Sequence, residues 1–447
     1  MRPLRTTDMR ILAAGIALLA LVGCCPPPQR PRESMGPWAV GFRRATATDA
    51  ARGGRPLPLA IWYPVEPGKA TGRRASYTCF QHPLLVIGMR SDVAVWDAPI
   101  SRAQRWPLVI FCHGLPSFET QSPCYMETLA SQGFVVVSIR HTGSSTFDVS
   151  RKLRAWLAKA ENGTPRELPD ALPGDPQGLS PCAILAAARQ GEPWAIERAS
   201  RPEAFHLARP LDVWRTIDWM AEQARTPSSF LYQAVDAERV GVTGHSAGGY
   251  VSLAAAVSYD GHPPDPRICA ILPIATAFTR ILPDEALRTI TAPALFAVGG
   301  KDKVAPWERD TRQALDAVSS PAPVAVRIRG AGHTHFADID GIACAVKRSG
   351  LYPWSWPLIS AAGHNFQRAY YREARAKDLL PPYEAQRILN KYAVAFFALH
   401  LKGDTSCRAT LSPGYARIHE PAVDFVTRTH TAAEVPRGDA APHTRVR

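Results

Sequence analysis

The stretch GVTGHSAGGY, residues 241–250, decides the fold of this chain. A short β-branched run, residues 239–243, leads into it, and the helix-like run YVSLAAAVSY follows it. A strand, a sharp turn and a helix in that order predict a nucleophile elbow, in which small residues at Gly244 and Gly248 let the strand and the helix close up. The turn lifts the hydroxyl of Ser246 clear of the backbone. Ser246 is therefore the candidate nucleophile, and the alternative is a glycine-rich turn with an idle serine.

Two backbone N–H groups are candidate donors to an oxyanion. The first is that of Ala247, at the positive N-terminus of the helix after the elbow. The second follows the apolar run PLVIFC, residues 107–112, which predicts a strand buried on both faces of a parallel sheet. That run ends in HGLP, and α/β sheets place their chemistry in such loops, so the N–H of Leu115 is the second candidate. An ordinary exit from a strand into a loop is the alternative there.

An ester-cleaving serine also needs a base and a carboxylate that orients the base. In α/β-hydrolases these residues follow sheet strands in the chain order serine, acid, histidine. Asp302 comes after the apolar run ALFAVGG and is the candidate acid, although by itself it would be a surface acid. His333 comes after VAVRIR and the glycine-containing loop RGAG, and it is the candidate base. His335 and His364 are rival bases, and His333 is preferred because it comes first after the last strand.

The alternation of strand-like and helix-like segments predicts the α/β class. The elbow and the order serine, acid, histidine predict an α/β-hydrolase fold, with a mostly parallel central sheet, flanking helices and helical insertions. The predicted domain covers residues 41–426. Two insertions interrupt it, at about residues 146–208 and 344–382. The first is too long for a plain connection and is a candidate lid over the site. Residues 427–447 are predicted to form a loose tail.

Five motifs in order, RPLPLAIWYP, FCHGLPS, GHSAGG, GGKDKVAP and RGAGHTHFAD, resemble bacterial α/β-hydrolases of the platelet-activating-factor-acetylhydrolase-like or dienelactone-hydrolase-like group. The resemblance runs from about residue 41 to residue 404, outside the insertions. It implies Ser246 as the nucleophile, His333 as the base, and the backbone of Leu115 and Ala247 as the oxyanion hole.

The chain departs from this group in two ways. In the acetylhydrolases the acid follows the strand just after the elbow helix, whereas here that strand, ICAILPIATAF, ends without a carboxylate. The acid is therefore expected one strand later, at Asp302, as in bacterial lipases and polyester hydrolases, which argues against phospholipid specificity. Dienelactone hydrolases proper use a cysteine nucleophile, and Ser246 argues against their chemistry.

The expected function is that of a serine hydrolase that cleaves carboxylic esters through an acyl-enzyme, with no metal ion or cofactor. The expected substrate is a small-molecule ester or a lipid. A peptidase or amidase with the same three residues is an alternative, and a catalytically silent binding protein with this fold is another. The net charge of +13 comes from arginines scattered along the chain, and no nucleic-acid motif accompanies it, so no nucleic-acid partner is expected.

Residues 1–23 combine a basic start with an apolar core that is short for a membrane span, which predicts a secretory signal. The sequence LVGC resembles a bacterial lipobox, which implies that Cys24 becomes the lipidated first residue after cleavage. Residues 24–40 are then a tether. Cys25, rather than aspartate, follows the lipidated cysteine, so the resemblance implies an outer-membrane lipoprotein that faces the periplasm. A soluble periplasmic or secreted protein is the alternative.

Export also permits disulfides. Cys344 and Cys407 both lie outside the apolar strand runs. The sequence therefore predicts a disulfide between them.

Overall fold

The computed structural model describes residues 31–82, 85–115, 117–145, 147–148, 192–199, 204–258, 263–338 and 378–428. The strands in these ranges are β1 (Ala39–Asp49), β2 (Arg55–Val65), β3 (Arg74–His82), β4 (Leu85–Trp96), β5 (Trp106–Cys112), β6 (Val135–Ile139), β7 (Val235–His245), β8 (Ile268–Ile274), β9 (Leu295–Gly299), β10 (Val324–Ile328) and β11 (Val423–Thr427). The α-helices are α1 (Pro123–Ser131), α2 (Pro193–Ala199), α3 (Phe205–Arg225), α4 (Ala247–Ala254), α5 (Asp284–Leu287), α6 (Arg312–Ala317), α7 (Pro382–Lys402) and α8 (Pro413–His419). No helix in the described ranges is both long enough and apolar enough to cross a membrane.

The eleven strands form one sheet in the order β11-β10-β9-β8-β7-β5-β6-β2-β1-β4-β3. Its central strands, β6, β5, β7, β8, β9 and β10, pair in parallel. In β5, Leu108 and Ile110 belong to one core cluster and Val109 and Phe111 to the other, because successive side chains of a strand point to opposite faces. Both faces are covered, as an unbroken apolar strand requires. The predicted α/β class with a mostly parallel central sheet is confirmed.

Helices cover both faces of the sheet. Val213 of α3 and Tyr250 of α4 pack on one face, and Leu129 of α1 and Phe397 of α7 pack on the other. This layering, with a parallel sheet between two sets of helices, is that of an α/β-hydrolase fold. α7 ends at Gly403, whose φ of 72° is the left-handed conformation that stops a helix.

α3 begins at Phe205, within the predicted insertion 146–208, and continues through Pro210. A proline usually kinks or breaks a helix, so a helix start before Pro210 is not evident from the sequence pattern. The last residues of the predicted insertion 146–208 therefore belong to α3. Most of that insertion and of 344–382, with the candidate lid, lies outside the described residues, as does Cys24.

The hairpin of β3 and β4 was not anticipated from the sequence. It joins the sheet through a short parallel pairing in which Gly41 lies opposite Val95 and Phe42 lies opposite Trp96. The hydroxyl of Tyr77, on β3, donates to Glu127 Oε1 of α1 at 2.5 Å, which ties the hairpin to the domain. The register of the hairpin shifts at two places, so the simple alternation by which a strand is recognised is broken.

Two further expectations concern the ends of the domain. The N–H of Trp38 donates to the carbonyl of Ser131 at 3.1 Å, so the end of the predicted tether 24–40 lies against α1. Cys407 carries a free thiol, which donates to Asp404 Oδ2 at 3.6 Å. The predicted disulfide from Cys344 is therefore wrong at its Cys407 end, because that thiol is used within the turn after α7. Cys344 lies outside the described residues.

Candidate active site

The elbow forms between β7 and α4. Ser246 has φ 59° and ψ −118°, a strained conformation for a residue with a side chain. A Cβ atom on Gly248 would lie 1.9 Å from the carbonyl oxygen of Cys112, and one on Gly244 would lie 2.4 Å from the carbonyl oxygen of Gly248. Only glycine therefore allows β5, β7 and α4 to approach this closely.

Neighbouring strands hold the strained serine in place. The N–H of Ser246 donates to the carbonyl of Ile274, at the end of β8, over 2.9 Å, and the N–H of Ala277 donates to the carbonyl of Ser246 over 3.1 Å. The backbone N–H of Ser246 is thus bonded to the last residue of β8, and its carbonyl to the segment that follows β8. A strained conformation persists where the surrounding structure over-determines it, so the hydroxyl of Ser246 is presented by a rigid turn.

The HGLP loop after β5 lies beside this serine. A Cβ atom on Gly114 would lie 3.5 Å from the Cβ atom of Ser246. The carbonyl of Gly114 accepts a hydrogen bond from Nδ1 of His113 at 2.7 Å and another from the guanidinium of Arg209 at 3.3 Å. Because a trans peptide points its N–H opposite to its carbonyl, the N–H of Leu115 is directed away from these two donors. The N–H of Ala247 is the first of α4, and such N–H groups have no acceptor within their helix.

The candidate acid and base lie in contact. Nδ1 of His333 donates to Oδ2 of Asp302 over 2.8 Å, and both side chains are buried. The other carboxylate oxygen, Oδ1, accepts the N–H groups of Val304 at 2.8 Å and Ala305 at 2.7 Å. The carboxylate is therefore fixed by the loop after β9, and the imidazole by the carboxylate. With the hydrogen on Nδ1, the basic lone pair of His333 is on Nε2.

A second histidine connects the loop after β10, which carries His333, with the elbow. Nε2 of His245, the residue before Ser246, donates to the carbonyl of His333 over 2.8 Å. Nδ1 of His245 accepts the side-chain amide of Gln121 at 2.9 Å, and Oε1 of Gln121 accepts the N–H of Gly114 at 2.8 Å. Burial and the nearby His333 lower the pKa of His245 to about 3, so this imidazole is neutral at pH 7.

Below the HGLP loop lies a buried arginine. Arg209 of α3 is 1% exposed. Its guanidinium donates to the carbonyl of His113 at 2.7 Å, in addition to that of Gly114, and to the hydroxyl of Ser144 at 3.0 Å. Burial lowers its pKa to about 9. This side chain holds the backbone that carries the Leu115 N–H.

One helical turn along α3, Asp212 joins three more basic side chains. It accepts from Arg52 at 2.7 Å, from Arg55 at 2.9 Å and from Nδ1 of His141 at 2.9 Å. Burial raises the pKa of Asp212, but the hydrogen bonds from His141 and Arg55 outweigh it and lower the pKa to about 2. Burial and the charge of Arg209 lower the pKa of His141 to about 4. The cluster ties α3 to the ends of β2 and β6.

The rival residues have other partners. Nδ1 of His335 accepts the N–H of Gly332 at 3.1 Å, and its Nε2 donates to the carbonyl of Leu380 at 3.1 Å. His335 thus anchors the loop after β10 to the start of α7. His364 lies outside the described residues. Within those residues, no group of three or more His, Cys, Asp or Glu side chains is arranged to hold a metal ion.

The sequence did not indicate Gln121, Arg209 or a role for His245. Gln121 lies in an irregular loop and Arg209 in a helix rich in charges, where a solvated arginine is the usual outcome. His113 and His141 carried a weak signal, because each follows a buried strand directly. Nε2 of His113 accepts the N–H of His141 at 3.3 Å, which links the ends of β5 and β6.

Two family models match successive parts of the chain. The model described as platelet-activating factor acetylhydrolase, isoform II, matches residues 70–162. The model described as PET hydrolase-like matches residues 203–356, which include the elbow and both candidate partners of Ser246. The first match contains the HGLP loop, so the two models together span the candidate catalytic and oxyanion-hole residues.

Individual relatives are similar over shorter stretches. A platelet-activating factor acetylhydrolase of the dog is 28% identical over 168 residues, which are 38% of this chain and 36% of the relative. The guinea pig protein of the same name is 32% identical over 92 residues, or 20% of this chain and 21% of the relative. The bovine protein is 36% identical over 66 residues, or 14% of this chain and 15% of the relative. The aligned part thus spans little more than a third of these relatives at most.

Proposed function

We propose that this chain, an α/β-hydrolase of the platelet-activating-factor-acetylhydrolase-like group, is a serine hydrolase. Its proposed reaction is the cleavage of carboxylic esters. One observation carries the proposal. Asp302 and His333 form a buried hydrogen-bonded pair at 2.8 Å, and the carbonyl of His333 is bonded to His245, the residue next to the strained Ser246. A serine, an imidazole and a carboxylate that orients the imidazole are the groups that serine acylation requires.

In the proposed reaction, Oγ of Ser246 attacks the carbonyl carbon of the ester while Nε2 of His333 takes the hydroxyl proton. The carbonyl oxygen becomes an oxyanion and accepts hydrogen bonds from the N–H groups of Leu115 and Ala247. When the tetrahedral intermediate collapses, the carbon–oxygen bond to the alcohol breaks and the leaving alkoxide takes the proton from His333. Asp302 keeps the imidazole in its Nδ1–H tautomer and stabilises the imidazolium that forms between these steps.

The second half of the cycle repeats the same moves with water. His333 takes a proton from water, the hydroxide attacks the acyl group on Ser246, and the oxyanion forms in the same hole. Collapse breaks the bond to Oγ, which recovers its proton from His333, and the carboxylic acid leaves. The proposed cycle uses side chains and backbone of this chain and no metal ion or cofactor.

We propose small-molecule esters or lipids as the substrate class. The names of the matching relatives and of the second family model support an ester substrate. The same groups would serve an amide, so the choice between ester and amide needs a direct comparison of the two. Membrane tethering through a lipidated Cys24 also belongs to this proposal, and the LVGC sequence supports it.

The test uses a fluorophosphonate, which phosphonylates an activated serine, together with a chain-length series of aryl esters and the matching aryl amides. We expect labelling at Ser246 and ester turnover that falls by roughly 10⁴ to 10⁶ in Ser246→Ala, since members of such a triad act as a unit. Ser252→Ala is the matched control. Ser252 is a buried serine of α4, the helix that follows Ser246. Its hydroxyl donates to the carbonyl of Gly249 at 2.8 Å, and its loss should leave labelling intact. Substantial ester turnover by folded Ser246→Ala protein would refute the proposal, and faster turnover of the amides would replace ester cleavage by amide cleavage.

A further inference from the structure

The hydrogen bonds that join Gly114, Gln121, His245 and His333 form one chain with a single direction. Oε1 of Gln121 must face the N–H of Gly114, because a backbone N–H can only donate. The amide nitrogen of Gln121 therefore faces Nδ1 of His245, which must accept. Nε2 of His245 then carries the hydrogen and donates to the carbonyl of His333. Neither the amide nor the imidazole can be reversed without setting two donors or two acceptors against each other.

Burial makes this chain of bonds costly to break. The exposed fractions are 3% for Gln121, 4% for His245 and 1% for His333. An unsatisfied polar group costs most where water cannot replace the lost partner. The desolvation that lowers the pKa of His245 also keeps it neutral, so the tautomer that fits both neighbours is stable at neutral pH.

The two ends of this series of hydrogen bonds lie at the two groups that assist Ser246 in the proposed reaction. Gly114 directly precedes Leu115, whose N–H is the proposed oxyanion donor, and His333 is the proposed base. His245 lies between them, next to Ser246 in the chain. A second bond reinforces the link, because the carbonyl of Gln121 accepts the N–H of Asp338 at 3.1 Å in the segment after His333.

We propose that Gln121 and His245 are positioning residues. They set the HGLP loop and the loop after β10, which carries His333, at a fixed distance from each other and from Ser246. The proposal rests on the proposed esterase function. Neither Gln121 nor His245 contacts the reacting atoms in the proposed ester cleavage. Their bonds keep Nε2 of His333 and the N–H of Leu115 in register with Ser246, and errors of about 1 Å in such an arrangement can lower the rate by about 10²-fold.

Two variants of His245 separate its hydrogen bond with Gln121 from its hydrogen bond with the carbonyl of His333. In His245→Asn the side-chain carbonyl can take the place of Nδ1 and accept from Gln121, but the shorter side chain does not reach the carbonyl of His333. In His245→Gln the longer side chain can place its amide nitrogen near the position of Nε2 and donate to His333. We expect His245→Gln to retain more activity than His245→Asn, because the link to the base is the one that governs proton transfer.

Gln121→Leu removes both bonds of that side chain at nearly constant volume. Gln121→Glu keeps the acceptor for Gly114 and loses the donor to His245, because an ionised carboxylate only accepts. The control is Asn390→Ala, which removes a buried amide on α7 that donates to Thr128 at 3.2 Å, a contact with no part in the site.

The measurement is kcat per active site, with the sites counted by fluorophosphonate titration, and KM on one aryl ester. We expect Gln121→Leu and His245→Asn each to lower kcat per titrated site by about 10- to 100-fold with KM nearly unchanged. The double variant should be no slower than the slower single variant, because both break the same connection. Asn390→Ala should match the wild type per titrated site even if less of it is folded.

Three results would overturn the inference: single variants that match Asn390→Ala per titrated site, losses that multiply fully in the double variant, or equal activity of His245→Asn and His245→Gln. If Gln121→Leu or His245→Asn does not fold, the decision passes to Gln121→Glu and His245→Gln in the same assay. Failure of the underlying function gives a different result, in which the wild-type protein itself is not titrated at Ser246.

Discussion

Oδ2 of Asp302 and Nδ1 of His333 are 2.8 Å apart, at the ends of two strands that are separated in the chain by a helix and a loop. The parallel register of β9 and β10 sets Gly299 opposite Ile328, so both strands end at the same level of the sheet. The loop after β9 then turns Asp302 toward the loop after β10. The contact between the two side chains is therefore a product of strand register.

The contacts of Asp302 predict what Asp302→Asn will do. Oδ1 accepts two backbone N–H groups, so the asparagine must keep its oxygen there and turn its NH₂ toward His333. Nδ1 of His333 then has to accept, its hydrogen moves to Nε2, and the imidazole can no longer take the proton of Ser246. We expect turnover to fall by about 10⁴ while the fold is kept.

Asp310→Asn is the control for this substitution. Asp310 is also buried, and its carboxylate pairs with Arg309, so its replacement should leave turnover close to that of the wild type. Steady-state kinetics with an aryl ester and circular dichroism of both variants decide the matter. An active Asp302→Asn protein together with an inactive Asp310→Asn protein would move the acid to Asp310.

Gly248→Ala should damage the elbow itself. Its Cβ atom would lie 1.9 Å from the carbonyl oxygen of Cys112, an atom of the β5 backbone that cannot rotate away. Overpacking of this kind costs about 1–3 kcal/mol or more, and we expect both a lower melting temperature and a loss of fluorophosphonate labelling. In Gly414→Ala the nearest neighbour of the new Cβ atom would be Oγ of Ser412 at 3.9 Å, so this variant should be neutral. Equal melting temperatures for the two variants would contradict the packing argument.

Acid should destabilise the fold through its buried neutral histidines. The pKa of His245 is lowered to about 3 and that of His141 to about 4, whereas an unfolded histidine titrates near about 6.5. Between these values the unfolded chain binds protons that the folded chain does not. The free energy of unfolding therefore falls as the pH drops from 6.5 toward 4, by about 1.4 kcal/mol per pH unit for each histidine.

Urea unfolding at several pH values between 7 and 4.5 measures this slope. His245→Gln removes one of the titrating groups and should make the slope shallower. His419→Gln, at an exposed position at the end of α8, should leave it unchanged. A free energy of unfolding that stays constant across the range would show that these histidines are not held neutral by the fold.

Cys24→Ser tests the proposed tether. Wild-type protein produced in a Gram-negative host should fractionate with the membrane, while Cys24→Ser should be released in active form or remain unprocessed, since the proposed reaction uses no residue near it. Cys25→Ser is the matched control and should stay with the membrane, because the lipid is expected on the preceding residue. Wild-type protein found wholly in the soluble periplasm with an unmodified N-terminus would exclude lipidation and leave the hydrolase proposal standing.

The sequence by itself determined the parallel centre of the sheet and the elbow, but not the hairpin of β3 and β4. The run PLVIFC, which forms most of β5, is continuously apolar because both faces of that strand are covered. The elbow is likewise local, since Gly244 and Gly248 lie two positions from Ser246 and their small size is needed there. The placement of Asp302 and His333 directly after strands was equally visible, because loops at the carboxyl ends of parallel strands converge.

Only the tertiary structure decided which polar side chains support the candidate site. The bond between Gln121 and His245 joins residues 124 positions apart, and Arg209 reaches the carbonyl of His113 across 96 positions. Nothing in the local pattern separates such residues from solvated ones, because their burial depends on how α3 and the loop after β5 pack against β7. Constraints on backbone conformation and hydrophobic pattern are local, so they can be recognised in short stretches of sequence. The partners of a buried polar group are fixed only when distant segments of the chain pack together.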